Sequence, residues 1–314
     1  MKAIVYSSYG SPDVLRCEEV EKPAAGDDEV LIRIRAAAVN PLDRHLMRGV
    51  YIARPMTGLR KPKVTRLGAD LAGQVEAVGR NVTRFQPGDE VFGVSRGAFA
   101  EYVCADAGKL ALKPANLTFE QAAAMPVAAS SAWQGLRARI QPGQKVLING
   151  AAGGVGTFAV QIAKSFGADV TGVCSTRNVD MVRSIGADQV IDYTREDFTQ
   201  SGQRYDLILD SVANHSLLAC RRVMSARGIY AVVGGKSLAG LLTAPLLSPF
   251  VSQKVVLVRA SINSEDLTIL KELAEANKVT PVIDRCYALS EVPEAIRYLE
   301  GGHVRGKVVI TLDT

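Results

Sequence analysis

Residues 149–156, NGAAGGVG, constrain the fold of this chain more than any other stretch. The apolar run Val146-Leu147-Ile148 precedes them, and a helix-like run over 157–166 follows. Four glycines in eight residues, set between a strand and a helix, specify a backbone that comes very close to a ligand or to neighbouring chain. Read as Ala151-x-Gly153-x-x-Gly156, the turn is a variant of the dinucleotide fingerprint. In that reading Gly153 lets the backbone approach a pyrophosphate, and Gly156 lets the helix pack closely on the strand. The helix N-terminus then offers free N–H groups and a partial positive charge to the phosphates, with Ala151, Gly153, Gly154, Val155 and Gly156 as candidate contacts.

The surroundings fit that reading. From residue 141 onward strands are expected over 145–149, 169–174, 189–191, 206–209, 229–233 and 255–258. Helices are expected over 155–166, 178–185, 216–224 and 265–276. Strand–helix alternation with short connections implies an α/β Rossmann fold, a doubly wound parallel sheet covered on both faces. Gly234 and Gly235 end a strand at the carboxyl edge of that sheet, where ligands bind in such folds. A chain that binds the unphosphorylated dinucleotide carries Asp or Glu about 20 residues after the glycines, to hold the ribose 2′-hydroxyl. Here the second strand runs out as Val173-Cys174-Ser175-Thr176-Arg177-Asn178, without a carboxylate. Ser175 can donate a hydrogen bond and Arg177 can form charge-assisted bonds to a phosphate. The expected cofactor is therefore NADPH.

The first 115 or so residues read differently, as strands over 2–6, 15–19, 30–39, 70–78, 90–94 and 98–105 punctuated by Pro, Gly and Asp turns. Near Thr118 the pattern changes to a capping box, Thr118 with Gln121, and an Ala-rich helix interrupted at Pro126. The tail returns to strand, helix, strand over 282–289, 292–299 and 307–312, and pattern alone leaves open whether it joins the parallel sheet. Five scattered cysteines without C-x-x-C or metal-ligand spacing read as free thiols of a reducing compartment. Three widely separated histidines argue against a His-rich metal centre. The net charge of +5 comes without a strongly basic helix, so no nucleic-acid partner is expected. No apolar run reaches 18 residues, so no membrane span is expected, and the N-terminus reads as a strand, giving a cytoplasmic expectation. GVSRG at 93–97 matches the serine-hydrolase elbow, but a strand follows where that motif needs a helix.

Taken together, Asn40-Pro41-Leu42-Asp43, LGADLAGQVEAVG (67–79), FQPGDEVFG (85–93), FAEYV (99–103), QPGQKVLINGAAGGVG (141–156) and GKVVI (306–310) resemble the medium-chain dehydrogenase/reductase superfamily over essentially the full length. Within it the chain is similar to the zinc-free quinone-oxidoreductase group, and VCSTRN with IDYTREDF resembles its branch of reticulon-4-interacting-protein-like NADPH reductases. The resemblance implies a GroES-like, partly open β-barrel catalytic domain over 1–117, completed by 280–314, and a Rossmann NADP-binding domain over 118–279. It also implies a homodimer. Zinc-dependent members carry a Cys, a His-Glu pair and a third ligand where this chain has Pro41-Leu42, Gly68-Ala69-Asp70 and AASSAW (128–133). Asp70 alone cannot hold zinc, so no metal is expected.

Without a Lewis acid, an acceptor that takes hydride readily is favoured: a quinone, or the β-carbon of an enone or enal. The resemblance places Asn40 beside the nicotinamide and substrate, with Asp43 on the same segment and Tyr51 as a possible hydroxyl donor. It carries Ser131 to the nicotinamide side of the cofactor, Tyr193 to the adenosine 2′-phosphate side, and His303 and Arg305 of the tail to its vicinity. Turn packing and helix capping are alternative roles for Asn40, Asp43 and Tyr51. Three functions stay open: an NADPH-dependent reductase of quinones or α,β-unsaturated carbonyls, a metal-free alcohol dehydrogenase-like or enoyl-thioester reductase activity, and a non-catalytic NADPH-binding protein.

Overall fold

The computed structural model describes residues 1–49, 58–234 and 252–312. They divide into two compact units, one of Met1–Val127 with Ile262–Asn277 and Pro281–Thr314, the other of Ala128–Ser261 with Lys278–Thr280. The first unit thus takes in residues 118–127 and 262–277, which the resemblance assigns to the Rossmann domain. Tyr51 and Gly235 lie outside the described residues.

The chain opens with β1 (Lys2–Val5), β2 (Arg16–Glu19) and β3 (Glu29–Ala38). In β3, Val30, Ile32 and Ile34 enter one hydrophobic core while Arg33 faces solvent, the period-2 alternation of a half-buried strand. Helix α1 (Pro41–Arg48) follows; the sequence pattern gave no helix here, although Pro41 stands at its first turn, where a missing N–H costs nothing. Then come β4 (Asp70–Val78), β5 (Glu90–Val94), β6 (Tyr102–Asp106) and β7 (Leu110–Leu112). The expected strand over 98–105 is therefore shorter and later, and β7 went unrecognised. Ser95, after β5, donates to the Cys104 carbonyl at 2.7 Å. Thr118 and Gln121 form the capping box of α2 (Phe119–Ala123), and α3 (Pro126–Leu136) restarts at Pro126.

The second unit carries β8 (Lys145–Asn149), α4 (Gly154–Ser165), β9 (Asp169–Cys174), α5 (Val179–Ser184), β10 (Gln189–Asp192), β11 (Tyr205–Asp210), α6 (Leu217–Arg222), β12 (Met224–Val232) and β13 (Lys254–Leu257). The strands form one parallel sheet in the order β10-β9-β8-β11-β12-β13. The chain steps outward from β8 to β10, then returns to place β11 on the other side of β8. That reversal opens a crevice at the carboxyl ends of β8 and β11. Leu147, Val173, Ile208 and Val232, one from each of four strands, share a core with Phe198 and Tyr205. Burying each contributes about 1.5–3 kcal/mol, enough to fix the register of the sheet.

The tail adds α7 (Ser264–Glu275), β14 (Ile283–Ala288), α8 (Val292–Glu300) and β15 (Lys307–Thr311). β15 pairs antiparallel with β3 and parallel with β14, so the tail completes the first unit's seven-stranded sheet, β14-β15-β3-β4-β5-β7 with β6 on β3. Val308 and Ile310 enter the same core as Ile32 and Ile34, which binds the tail there.

Candidate functional site

At the crevice of the parallel sheet, the N–H groups of Gly150 and Ala151 both donate to the Val173 carbonyl of β9, at 3.2 and 3.0 Å. This pins the turn after β8 to the neighbouring strand. Gly153 is the N-cap of the twelve-residue α4 and brings no side chain to its first-turn amides. Those donors stay available to an anion, and the helix dipole favours one. At Gly156 a Cβ would stand 2.0 Å from the Gly150 carbonyl oxygen and 2.7 Å from Ala151 Cα, so only glycine lets the helix start this close to the turn. A Cβ at Gly153 would meet nothing nearer than 3.4 Å, which leaves an open approach over the turn. A dinucleotide's pyrophosphate fits this cradle. Ala151, in place of the first fingerprint glycine, is buried.

One strand over, β9 and β10 end side by side, Cys174 opposite Asp192. The Tyr193 N–H donates to the Cys174 carbonyl at 3.0 Å, so Ser175, Arg177 and Tyr193 gather at one edge. Tyr193 is 61% exposed, a large ring left open to solvent. The Asn178 side-chain amide donates to Ser175 Oγ at 3.2 Å, while its Oδ1 is buried without a partner among the described residues. Asp192 is the carboxylate that ends β10 at this edge. It accepts from the Thr176 hydroxyl at 2.5 Å and from the Thr194 hydroxyl and N–H at 2.8 and 3.0 Å. These bonds, the Thr176 one first, hold its carboxyl below the usual range. A cavity of about 390 Å³ lies here, lined by Thr176, Arg183, Asp192, Arg195 and Glu196 among others. Sequence reading missed Thr176, Asp192 and Thr194; the DYT triplet after a strand, a side-chain turn signal, was the available clue.

Behind the glycine turn a buried network also went unrecognised. Asn149 donates to Asp210 Oδ1 at 2.9 Å and to Asn214 Oδ1 at 3.2 Å. Asp210 further accepts the N–H groups of Val212 and Ala213 and, at 2.8 Å, the Tyr230 hydroxyl. Burial drives the Tyr230 hydroxyl far above its ordinary range, so it stays a donor. Burial also pushes the Cys220 thiol up to about 12. Gly234 follows β12 with φ of 129°. Ser131, on α3, is buried, and its neighbour Ser130 has a buried hydroxyl without a partner among the described residues.

The first unit gathers a second set of polar groups. Lys307 opens β15, Asp70 opens β4, and Asn40 lies two residues beyond the end of β3. The register pairs Ala38 with both Asp70 and Val309, which brings the three side chains together. Lys307 Nζ donates to Asn40 Oδ1 at 2.7 Å and to Asp70 Oδ2 at 3.1 Å. Asn40 Nδ2 donates to Asp70 Oδ2 at 2.9 Å and to the Ala38 carbonyl at 3.3 Å. Asp70 Oδ1 accepts the Val127 N–H at 2.8 Å. All three side chains are buried. Asn40 is the N-cap of α1 by backbone geometry, yet its side chain makes no capping bond. Asp43 does the capping: its carboxylate accepts the Asn40 N–H at 2.8 Å and the Gly68 N–H at 3.0 Å. Gly68 has φ of 96°, and a Cβ there would meet the Phe99 nitrogen at 2.5 Å, so the approach to Asp43 depends on glycine. Burial pushes the Asp43 carboxyl up to about 7 against these two donors. Lys307 was not singled out from sequence, because nothing local marks a lysine in a strand as buried, and Asp70 was weighed only as a metal ligand.

His303 and Arg305 stand exposed on the turn before β15, in the first unit. The Arg305 guanidinium lies 3.9 Å from Asp284, whose other oxygen takes the Arg305 N–H and the Tyr298 hydroxyl. No helix among the described residues is long and apolar enough to cross a membrane.

A parallel sheet with a glycine turn at its switch point, beside a unit built on a mixed sheet, defines a nucleotide-dependent oxidoreductase architecture. Residues 26–115 match the alcohol dehydrogenase GroES-like domain family, and 185–310 match the zinc-binding dehydrogenase family. The 2-methylene-furan-3-one reductase of Solanum lycopersicum is 37% identical over 326 residues, covering 99% of this chain and 79% of the relative. The mitochondrial NAD(P)H oxidoreductase RTN4IP1 of Mus musculus is 35% identical over 362 residues, covering 99% and 89%. The solved quinone oxidoreductase of Coxiella burnetii superposes with a TM-score of 0.89 at 30% identity, covering 100% of this chain and 99% of that one. The chain belongs to the medium-chain dehydrogenase/reductase superfamily, and it is an oxidoreductase that uses a nicotinamide cofactor.

Proposed function

We propose that this protein is a zinc-independent, NADPH-dependent reductase of quinones or α,β-unsaturated carbonyls. The observation that carries the cofactor choice is the edge formed by Ser175, Arg177 and Tyr193, where the carboxylate that ends β10, Asp192, is spent on the hydroxyls of Thr176 and Thr194. The strand-end carboxylate that would hold a ribose 2′-hydroxyl is thus engaged by threonines, while Arg177 and Ser175 supply a guanidinium and a hydroxyl suited to a 2′-phosphate. When bound, the nicotinamide supplies hydride. The α4 N-terminus and the turn at 150–156 hold the pyrophosphate, Ser131 and Gly234 bound the nicotinamide side, and His303 and Arg305 remain tail candidates for the cofactor. Asn40 serves on the substrate side, with Asp43 fixing its backbone. Tyr51 is the candidate donor to the oxygen on which negative charge develops.

The zinc-binding description of the matched family calls for a test of the donor set. Asp70, at the position where zinc-dependent relatives carry a ligand pair, already faces the Lys307 ammonium at 3.1 Å and the Val127 N–H. Its neighbours are Asn40 and Lys307, neither a cysteine nor a histidine. A second cation beside that ammonium is repelled, and the residues do not fit zinc. Such chemistry suits acceptors that need no Lewis acid, in keeping with the enone reductase and quinone oxidoreductase among its relatives. We further infer a homodimer, for which β13, outermost in its sheet among the described residues and exposing Leu257, offers an edge. A cytoplasmic setting is supported by free Cys17 and Cys286 at the surface.

NADPH oxidation followed over a panel of quinones, enals, enoyl thioesters and ketones tests the activity. Turnover of enals or quinones is expected. Tight NADPH binding without turnover of any acceptor overturns it in favour of a binding protein. Arg177→Ala is expected to weaken NADPH roughly tenfold or more while leaving NADH nearly unchanged, since one charge-assisted bond contributes about 1.5–3 kcal/mol. Equal losses for both refute the cofactor choice.

A further inference from the structure

We propose that Lys307 is a positioning residue that fixes the Asn40 side chain as a hydrogen-bond acceptor toward its ligand; this rests on the reading of Asn40 as a substrate-side group. An asparagine amide presents oxygen and nitrogen in nearly the same shape, so its neighbours decide which way it points. An ammonium only donates and an ionised carboxylate only accepts. Lys307 Nζ stands 2.7 Å from Asn40 Oδ1, and Asp70 Oδ2 stands 2.9 Å from Asn40 Nδ2. A flipped amide would set NH₂ against the ammonium and oxygen against the carboxylate, exchanging two charge-assisted bonds for two repulsions.

The same accounting says what Asn40 has left to give. Both Nδ2 hydrogens are committed, to Asp70 and to the Ala38 carbonyl. Oδ1 accepts from Lys307 and keeps one lone pair. Asn40 therefore has no N–H to offer a developing oxyanion. It recognises a donor, such as a ligand's N–H or O–H, and the ammonium behind its oxygen holds that oxygen still. Lys307 is 4% exposed, and its ammonium bonds to Asn40 and Asp70, so it reaches a ligand through Asn40.

The test compares Lys307→Gln, Lys307→Arg, Asn40→Ala and the double variant Asn40→Ala/Lys307→Gln. The measurements are kcat at saturating NADPH with one acceptor from the panel, NADPH affinity by fluorescence, and exchange of the Asn40 side-chain amide protons by ¹⁵N NMR without ligand. Lys307→Gln and Asn40→Ala are each expected to lower kcat roughly tenfold to a hundredfold, the range for a misplaced group. Lys307→Arg should recover part of the loss. The double variant should be no worse than Asn40→Ala. The Asn40 amide protons should exchange slowly in the parent and fast in Lys307→Gln. If Lys307→Gln does not fold, Lys307→Gln combined with Asp70→Asn, which leaves no lone buried charge, takes its place with the same expectations. Losses that multiply in the double variant, or a folded Lys307 variant with parental kcat and slow amide exchange, overturn the proposal. Parental kcat in Asn40→Ala instead refutes the substrate-side reading of Asn40, and the Lys307 proposal falls with it.

Discussion

Exchanging Asp43 for asparagine tests whether burial governs the charge at the start of α1. The Asp43 carboxyl is 1% exposed. Burial pushes it from 3.8 to about 7, although the N–H groups of Asn40 and Gly68 favour the anion. In the unfolded chain the group titrates near its ordinary value. Between about pH 4 and pH 7 the folded protein thus holds a proton that the unfolded chain has released. Stability falls with rising pH wherever the folded state binds more protons. The slope is about 1.4 kcal/mol per pH unit. This stabilisation is complete below about pH 4 and is lost as the pH rises through about 7, a total of about 4 kcal/mol. Asp43→Asn has no proton to lose, and its NH₂ opposes one backbone donor at a pH-independent cost of about 1–3 kcal/mol. The difference in unfolding free energy between parent and variant should therefore move against the parent by about 2–3 kcal/mol between about pH 5 and pH 7. Urea unfolding followed by circular dichroism at several pH values reads it. His45, held below its ordinary value by burial, titrates in both proteins and cancels in the difference. A parent-to-variant gap that stays constant over this range refutes the reasoning.

Gly156→Ala must displace α4 from the Gly150 carbonyl, now 2.0 Å from the added carbon, and is expected to cost about 1–3 kcal/mol in unfolding free energy and to weaken NADPH binding measured by fluorescence. Tyr230→Phe removes the donor to Asp210 Oδ2 in a fully buried site and is expected to cost about 1–3 kcal/mol in urea unfolding, whereas exposed Tyr193→Phe should stay within about 0.5 kcal/mol.

Much of the fold was legible because its signals are local. The glycine turn, the strand before it and the helix after it sit in one stretch of chain, and periodicity marks the alternating elements that make the parallel sheet. The Thr118 capping box and the break at Pro126 are equally local, and both stand in the structure. Helix α1 was hidden because it has only eight residues, Pro41–Arg48, before Gly49 ends it, too few for a clear period. The tail was ambiguous because a strand-helix-strand pattern fits either sheet. Its pairing with β3 is set by Val308 and Ile310 finding a core built from the first hundred residues.

The sequence by itself determined a parallel sheet of alternating strands and helices and the glycine turn that lets α4 start close against β8. Only the tertiary structure decided what stands around Asn40. Lys307 lies 267 positions from Asn40 and 237 from Asp70, and no local pattern couples residues so far apart. Strand register does it, by bringing the ends of β15, β3 and β4 together in a buried place. There an ammonium and a carboxylate must satisfy each other, and the amide between them has one orientation.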